Sequence, residues 1–187
     1  PSMTARDTMR LRARALDAAG REVPNVTVRF VLASGARFEG RVTTDGLVSS
    51  GATGRLPISV IASVPGTAPV TERIEVPMLP GAPARVVIDK APNRLAIGQR
   101  VGLTATAFSK DNDPRAGDRM RWTSLNPAVA RVNEAGVVTA VGPGKAVIRA
   151  GTALSRDAGN NSVNSWIATA EFPIEVVRAP IGSISVT

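Results

Sequence analysis

The chain has 187 residues, 43% of them hydrophobic but only 3% aromatic, and it contains no tyrosine, no histidine and no cysteine. Without cysteine there is neither a disulfide framework nor a thiolate metal site, and without histidine the commonest general base and transition-metal ligand are gone. The formal net charge is +8, carried almost wholly by arginines spread singly through the chain rather than gathered in a run, so a solvated strand face is the expected reading and nucleic acid is not an expected partner.

The length suits two modules of roughly 100 residues or fewer. A core built here rests on Val, Ile, Leu and Ala, with Phe30, Phe38, Phe108, Phe172, Trp122 and Trp166 as the large fillers. No window approaches the ~20 apolar residues of a membrane span, so membrane insertion is not expected. Arg6, Asp7 and Arg10 interrupt any apolar run near Pro1, so no signal-peptide pattern is expected in these residues, and the chain reads as part of something longer.

The elements are short strands punctuated by Gly, Pro, Asn and Asp. Met9–Asp17 is rich in helix formers, yet Met9, Leu11, Ala13 and Ala15 alternate strictly with Arg10, Arg12 and Arg14. Period two predicts a half-buried strand there. Val101–Ser109 alternates likewise, with Leu103, Ala105 and Ala107 on one face.

These two segments open an internal repeat. Leu11 on Leu103 and Phe30 on Trp122 give an offset of 92 by subtraction, and Gly46 on Gly136 and Gly54 on Gly144 give 90. Ile74-Glu75-Val76 recurs as Ile174-Glu175-Val176 at an offset of 100, which implies about ten extra residues between Thr152 and Trp166. Repetition at this period predicts an array of similar domains. The segment Pro77–Pro83, with three prolines and a glycine, is the expected linker and would be semi-rigid.

The second copy resembles the bacterial Ig-like group 2 family. The resemblance is carried by Trp122, Asn126, Pro127, Val129, Ala130, Val132, Gly136, Val138, Thr139, Ala140, Gly144, Ala146 and Ile148. Residues 1–79 resemble it through LRARALDAAGREVP, DGLVSS and GRLPISVIA but lack the Asn-Pro-x-Val-Ala segment. The implied fold is all-β, tandem immunoglobulin-like Greek-key β-sandwiches. The expected domains are 1–79, with its opening strand missing, 84–178, and 179–187 as the start of a further module or an exchanged strand.

Chemistry is sparse. Serines lack a histidine base, and no G-x-S-x-G elbow occurs. Gly142-Pro143-Gly144-Lys145 is similar to part of a phosphate loop but lacks its spacing and precedes a strand, so a hairpin turn is expected. Asp111, Asp113 and Asp118 form the one acidic constellation and are candidate calcium ligands, against a reading as turn residues beside Lys110, Arg115 and Arg119. Residues 153–165, with Asn160, Asn161 and Asn164, are the candidate recognition loop. No catalytic residue and no other cofactor is expected.

The resemblance implies a non-catalytic structural or adhesive module of a larger bacterial surface or secreted protein, located outside the cell or on its surface. The alternatives are an accessory region of a secreted hydrolase and a phage virion module. Expected partners are neighbouring modules, an anionic cell-surface polymer, and other copies joined by donation of strand 181–187.

Overall fold

The computed structural model describes residues 1–33, 40–153 and 166–178. The chain divides into two compact units, Pro1–Gly81 and Ala82–Thr187.

In the first unit, β1 (Met3–Thr4), β3 (Thr27–Leu32), β6 (Gly54–Ser63) and β7 (Val70–Leu79) form one sheet in the order β1-β7-β6-β3. Strands β2 (Thr8–Arg10), β4 (Gly40–Val42) and β5 (Leu47–Ser50) form the facing sheet in the order β2-β5-β4. Between them lies one cluster including Met3, Leu11, Phe30, Val48, Leu56, Ile58, Val76 and Met78. The period-two alternation of β6 sends Leu56 and Ile58 inward, where both are fully buried.

The second unit repeats this plan. Strands β9 (Arg94–Ala96), β12 (Met120–Ser124), β15 (Gly144–Ala153) and β16 (Trp166–Val177) form a sheet in the order β12-β15-β16-β9, and β10 (Arg100–Gly102), β13 (Ala130–Val132) and β14 (Val137–Ala140) form β10-β14-β13. In both units a short strand, β1 in the first and β9 in the second, runs parallel to the last strand while the other ladders are antiparallel. The second unit also has a third, two-stranded sheet of β8 (Pro83–Ile88) and β11 (Ala105–Ser109). Each unit is a Greek-key β-sandwich of the immunoglobulin-like kind, and the chain is all-β.

The repeat is physical as well as textual. Gly46 and Gly136 both have positive φ, 89° and 79°. A Cβ on Gly46 would lie 2.7 Å from the Leu11 carbonyl oxygen and 2.9 Å from the Phe30 ring, and one on Gly136 would lie 2.5 Å from the Leu103 carbonyl oxygen and 3.0 Å from the Trp122 ring. The Leu11 N–H donates to the Gly46 carbonyl at 2.8 Å and the Leu103 N–H to the Gly136 carbonyl at 2.9 Å. An aromatic ring lying on a hairpin glycine thus clamps each sandwich, and only glycine fits beneath it.

Four expectations need correction. First, the ladders align β7 with β16 at 98, not 100. Met78 pairs with Met3 where Val176 pairs with Leu95, and Val76 stands opposite Leu56 where Ile174 stands opposite Ala146. The Ile-Glu-Val match is therefore slipped by two residues, a slip that keeps every side chain on its own face. Second, Val101–Ser109 is two strands, because the chain leaves the β14 ladder after Gly102 and joins β8 from Ala105. Third, Pro77 and Pro83 belong to β7 and β8, so only Pro80–Ala82 connect the two strands. Fourth, Gly142–Gly144 is not a hairpin: it carries the chain from β14 in one sheet to β15 in the other. The Gly142 N–H is satisfied there by the Val129 carbonyl.

Candidate functional site

The acidic loop between β11 and β12 is organised by its own polar groups. The Ser109 hydroxyl accepts the backbone N–H groups of Asp111 and Asp113 and donates to the Asp113 carboxylate at 3.3 Å. Arg115 Nε and a terminal guanidinium nitrogen donate to the two Asp118 oxygens at 2.6 and 2.9 Å. Among the described residues no group of three or more acidic side chains is gathered as for a metal. Asn160, Asn161 and Asn164 lie outside the described residues, as do 179–187 and Phe38. Phe30 is a core residue, whereas Phe108, Phe172, Trp122 and Trp166 are half-buried.

The arginines take outward places, and several are met by a carboxylate across the sheet surface. Arg55 reaches Glu75 at 3.1 Å, Arg149 reaches Glu171 at 2.7 Å and Arg10 reaches Asp45 at 2.8 Å. Arg100 and Arg131 differ: both stand opposite Thr139, from either side of it, so one outward row reads Arg-Thr-Arg. Among the described residues no helix is long and apolar enough to cross a membrane.

The largest departure from the shared plan is an edge of the first unit. In the second unit, β11 pairs with β8 from Ala105 opposite Ile88 to Ser109 opposite Pro83. That pairing closes a second apolar cluster of Val86, Ala107, Ala150 and Ala168, and Arg85 lies over the Phe108 ring, 4.2 Å from its centroid. Subtracting 92 places Ala13–Asp17 where β11 stands, and there the expected strand over Met9–Asp17 stops. Its ladder is confined to Thr8–Arg10, followed only by an isolated bridge from Leu16 to Glu22. No described strand of the first unit runs along that edge in the place of β8.

The consequence is exposed apolar surface. Ala107, Ala150 and Ala168 are 0%, 0% and 6% exposed. Their counterparts Ala15 and Val60 are half-buried, and the counterpart of Ala168, Val70, is 70% exposed. Leu16, in the place of Phe108, is 57% exposed. An open groove of about 430 Å³ runs here, lined by Ala13, Ala15, Leu16, Val60, Ala62 and Val70 among others. The alternation of Met9–Asp17 predicted a strand running past Arg10, so the sequence did not signal this exposed edge, and Val70 carried no signal of its own.

Residues 85–163 match the bacterial Ig-like domain (group 2) family. No curated protein matches the chain. Among solved structures, domains 4 and 5 of the S-layer protein SbsC are 16% identical, with 94% of this chain and 92% of that one covered at a TM-score of 0.43. Domains 1–6 of SbsC are 18% identical over 96% of this chain, which spans 25% of that longer structure, at a TM-score of 0.43. The EC1-2 pair of human protocadherin-24 is 12% identical, with 85% of this chain and 86% of that one covered at a TM-score of 0.43. The second unit is thus a bacterial Ig-like domain of group 2, and the first is a divergent Ig-like sandwich of the same strand plan joined to it in tandem.

Proposed function

We propose that the two units are a non-catalytic structural segment, a spacer or adhesive stalk, of a larger bacterial protein exposed on the cell surface or secreted. In this reading the units associate with neighbouring modules, and with other copies through residues 181–187. The observation that carries it is where the repeated residues go. Gly46 with Phe30 and Gly136 with Trp122 are all spent on clamping a sandwich, so what the two units share is a fold device rather than a reactive group. Antibody labelling of intact cells against the full protein tests the location. Surface signal is the expected result, and signal only after lysis overturns it. Labelling of purified phage particles instead would move the protein to a virion. A hydrolase domain beside these units in the full-length protein would make them its accessory region.

The Arg100-Thr139-Arg131 row supports a second reading, attraction to an anionic cell-surface polymer. Retention on an acidic polysaccharide that falls steeply with salt and drops in Arg100→Ser/Arg131→Ser is the expected result, and salt-independent retention argues against it. For calcium at Asp111, Asp113 and Asp118 the readout is the melting midpoint of the second unit, which must rise in millimolar Ca²⁺ for those carboxylates to be ligands.

A further inference from the structure

We infer that the outer face of the β12-β15-β16-β9 sheet is a binding site for an extended β-linked glycan, with Trp166 as its stacking platform. This goes beyond the spacer reading and uses other residues than the Arg100-Thr139-Arg131 row, which belongs to the β10-β14-β13 sheet. It begins with a break in a ladder. Strands β15 and β16 pair in step from Gly144 opposite Val176 to Thr152 opposite Ala168; then Ala153 pairs with Trp166, and Ile167 is left over. An extra residue of this kind re-aims the side chain beyond it. By alternation Trp166 would point inward with Ala168. Instead its indole lies on the outer face, with Cε3 and Cζ3 against the place of a Gly151 Cβ, the Cζ3 atom at 2.9 Å. Position 151 points outward with Arg149, because Ala150 and Thr152 on either side of it are buried. Trp166 takes no place in either apolar cluster of this unit and is half-buried. A flat indole thus rests on bare main chain.

From this ring the outward residues run in rows along the strands. Arg121 and Thr169 stand on either side of Gly151, Thr123 and Glu171 on either side of Arg149, and Leu125 and Pro173 beside Val147. The Leu125-Val147-Pro173 row is apolar, with Leu125 50% exposed and Pro173 exposed. It lines an open groove of about 400 Å³ together with Asn126, Lys145 and Glu175. Val147 is four residues from Gly151, about 13 Å at the rise of a strand. Between the two apolar places stands the Arg149–Glu171 ion pair, 2.7 Å long.

Two apolar places on one line, separated by a fixed set of donors and acceptors, match the chemistry of a sugar chain. A pyranose with equatorial substituents has C–H groups on both flat faces and hydroxyls around its rim. The faces stack on an indole or a proline ring. The hydroxyls, each both donor and acceptor, take a guanidinium N–H and a carboxylate oxygen together. A β-linked chain of such rings is extended and lies on both apolar places at once, whereas an α-linked glucan curls and reaches one. A protein partner would take the Arg149–Glu171 pair out of water at a desolvation cost. A hydrated glycan rim leaves that pair wet.

Titration calorimetry of the full chain with cellohexaose and chitohexaose tests the inference. At least one of them is expected to bind, maltohexaose at least about tenfold more weakly, and Trp166→Ala is expected to lower the affinity at least about tenfold. Trp166→Phe should recover part of that loss. Glu171→Ala should weaken binding about threefold. Trp122 fluorescence checks that each variant melts as the parent does. Unchanged affinity in Trp166→Ala overturns the inference, as do binding of neither sugar and equal binding of maltohexaose. Where Trp166→Ala does not fold, Glu171→Ala decides, because an exposed ion pair contributes little stability; unchanged affinity there overturns the site. Binding that vanishes in salt and follows Arg100→Ser/Arg131→Ser moves the ligand to the other sheet and overturns it as well. Self-association lost in Trp166→Ala, with no sugar bound, makes this face an interface between copies and overturns the glycan as its occupant. Surface labelling that fails overturns the location proposed above and leaves glycan binding standing.

Discussion

The two units share a sandwich core and differ in a strand. Both pack one apolar cluster between a four-stranded and a three-stranded sheet, and both lay an aromatic ring on a hairpin glycine. The second unit adds β8, and with it a second cluster of buried residues. In the first unit the corresponding Ala15 and Val60 are half-buried and Val70 is exposed. The comparison separates the plan into a clamp that both units hold and an edge strand found, among the described residues, in the second unit. Burial of apolar area contributes roughly 25 cal/mol per Å², so the unit with one cluster should be the less stable. Both tryptophans lie in the second unit, so tryptophan fluorescence follows that unit while circular dichroism follows both.

The largest effect should come from the shared core. Ile58 and Ile148 are equivalent by ladder position, and both are 0% exposed. Truncation to alanine should cost about 2–5 kcal/mol in either unit. With less to spare, the first unit should unfold at room temperature in Ile58→Ala while tryptophan fluorescence still reports a folded second unit. Ile148→Ala should lower the tryptophan midpoint without abolishing it. Equal loss of both units in either variant would show that they fold as one and would break the comparison.

Next comes the clamp. Gly46→Ala and Gly136→Ala each force a Cβ against a backbone oxygen and a ring at a positive φ. Left-handed backbone costs an alanine about 1–2 kcal/mol, and the clash adds to it, so about 2–3 kcal/mol is expected in each unit, read from denaturant midpoints. Near-equal losses sharpen the claim that one device serves both. A loss confined to the second unit would reduce the Gly46 contact to a coincidence.

How much of this the sequence carried depends on the kind of signal. Phe30 with Trp122 and Gly46 with Gly136 were legible, because large aromatics are rare in this chain and a turn at positive φ has few substitutes for glycine. The slip from 98 to 100 was not. A two-residue shift keeps inward and outward faces, so Ile74-Glu75-Val76 matches Ile174-Glu175-Val176 as well by pattern as the true register does. The break between β10 and β11 was hidden for a related reason. Leu103 stays buried while the chain changes sheets, so the alternation runs through unbroken. Pro77 misled because proline marks linkers on average, yet here it stands within β7 opposite Arg55. The exposure of Val70 depends on which strands pair beside it, which no local pattern reports.

The open edge itself predicts a smaller asymmetry. Ala107 is fully enclosed, so Ala107→Val should overpack the second cluster at a cost of about 1–3 kcal/mol. The equivalent Ala15→Val enlarges a side chain that faces the open groove and should change the first unit by no more than about 0.5 kcal/mol. Chemical denaturation of the two variants checks it, and equal costs would mean that the first edge is already filled.

The smallest effect concerns acid. The first unit closes its β4–β5 turn with the Asp45 carboxylate, which accepts from the Thr43 hydroxyl and from Arg10 at 2.8 Å; these bonds, the hydroxyl's foremost, hold its carboxyl below the usual range. Asp17 is lowered as well, chiefly by the Arg21 backbone N–H and side chain. The second unit makes the corresponding β13–β14 turn with Asn133, whose side-chain oxygen accepts the N–H groups of Ala135 and Val137 at 3.1 and 2.9 Å, and an amide does not titrate. A carboxyl lowered in the folded state contributes stability that is present above its unfolded value of about 3.9 and is lost as pH falls through the folded value. The midpoint of the first unit should therefore decline from pH 5 to pH 3, and Asp17→Asn/Asp45→Asn should flatten that decline. Both carboxylates are solvated, so the shift is expected to be small and to shrink in salt. A double variant that declines as steeply as the parent would leave these two turns without a part in the acid response of the first unit.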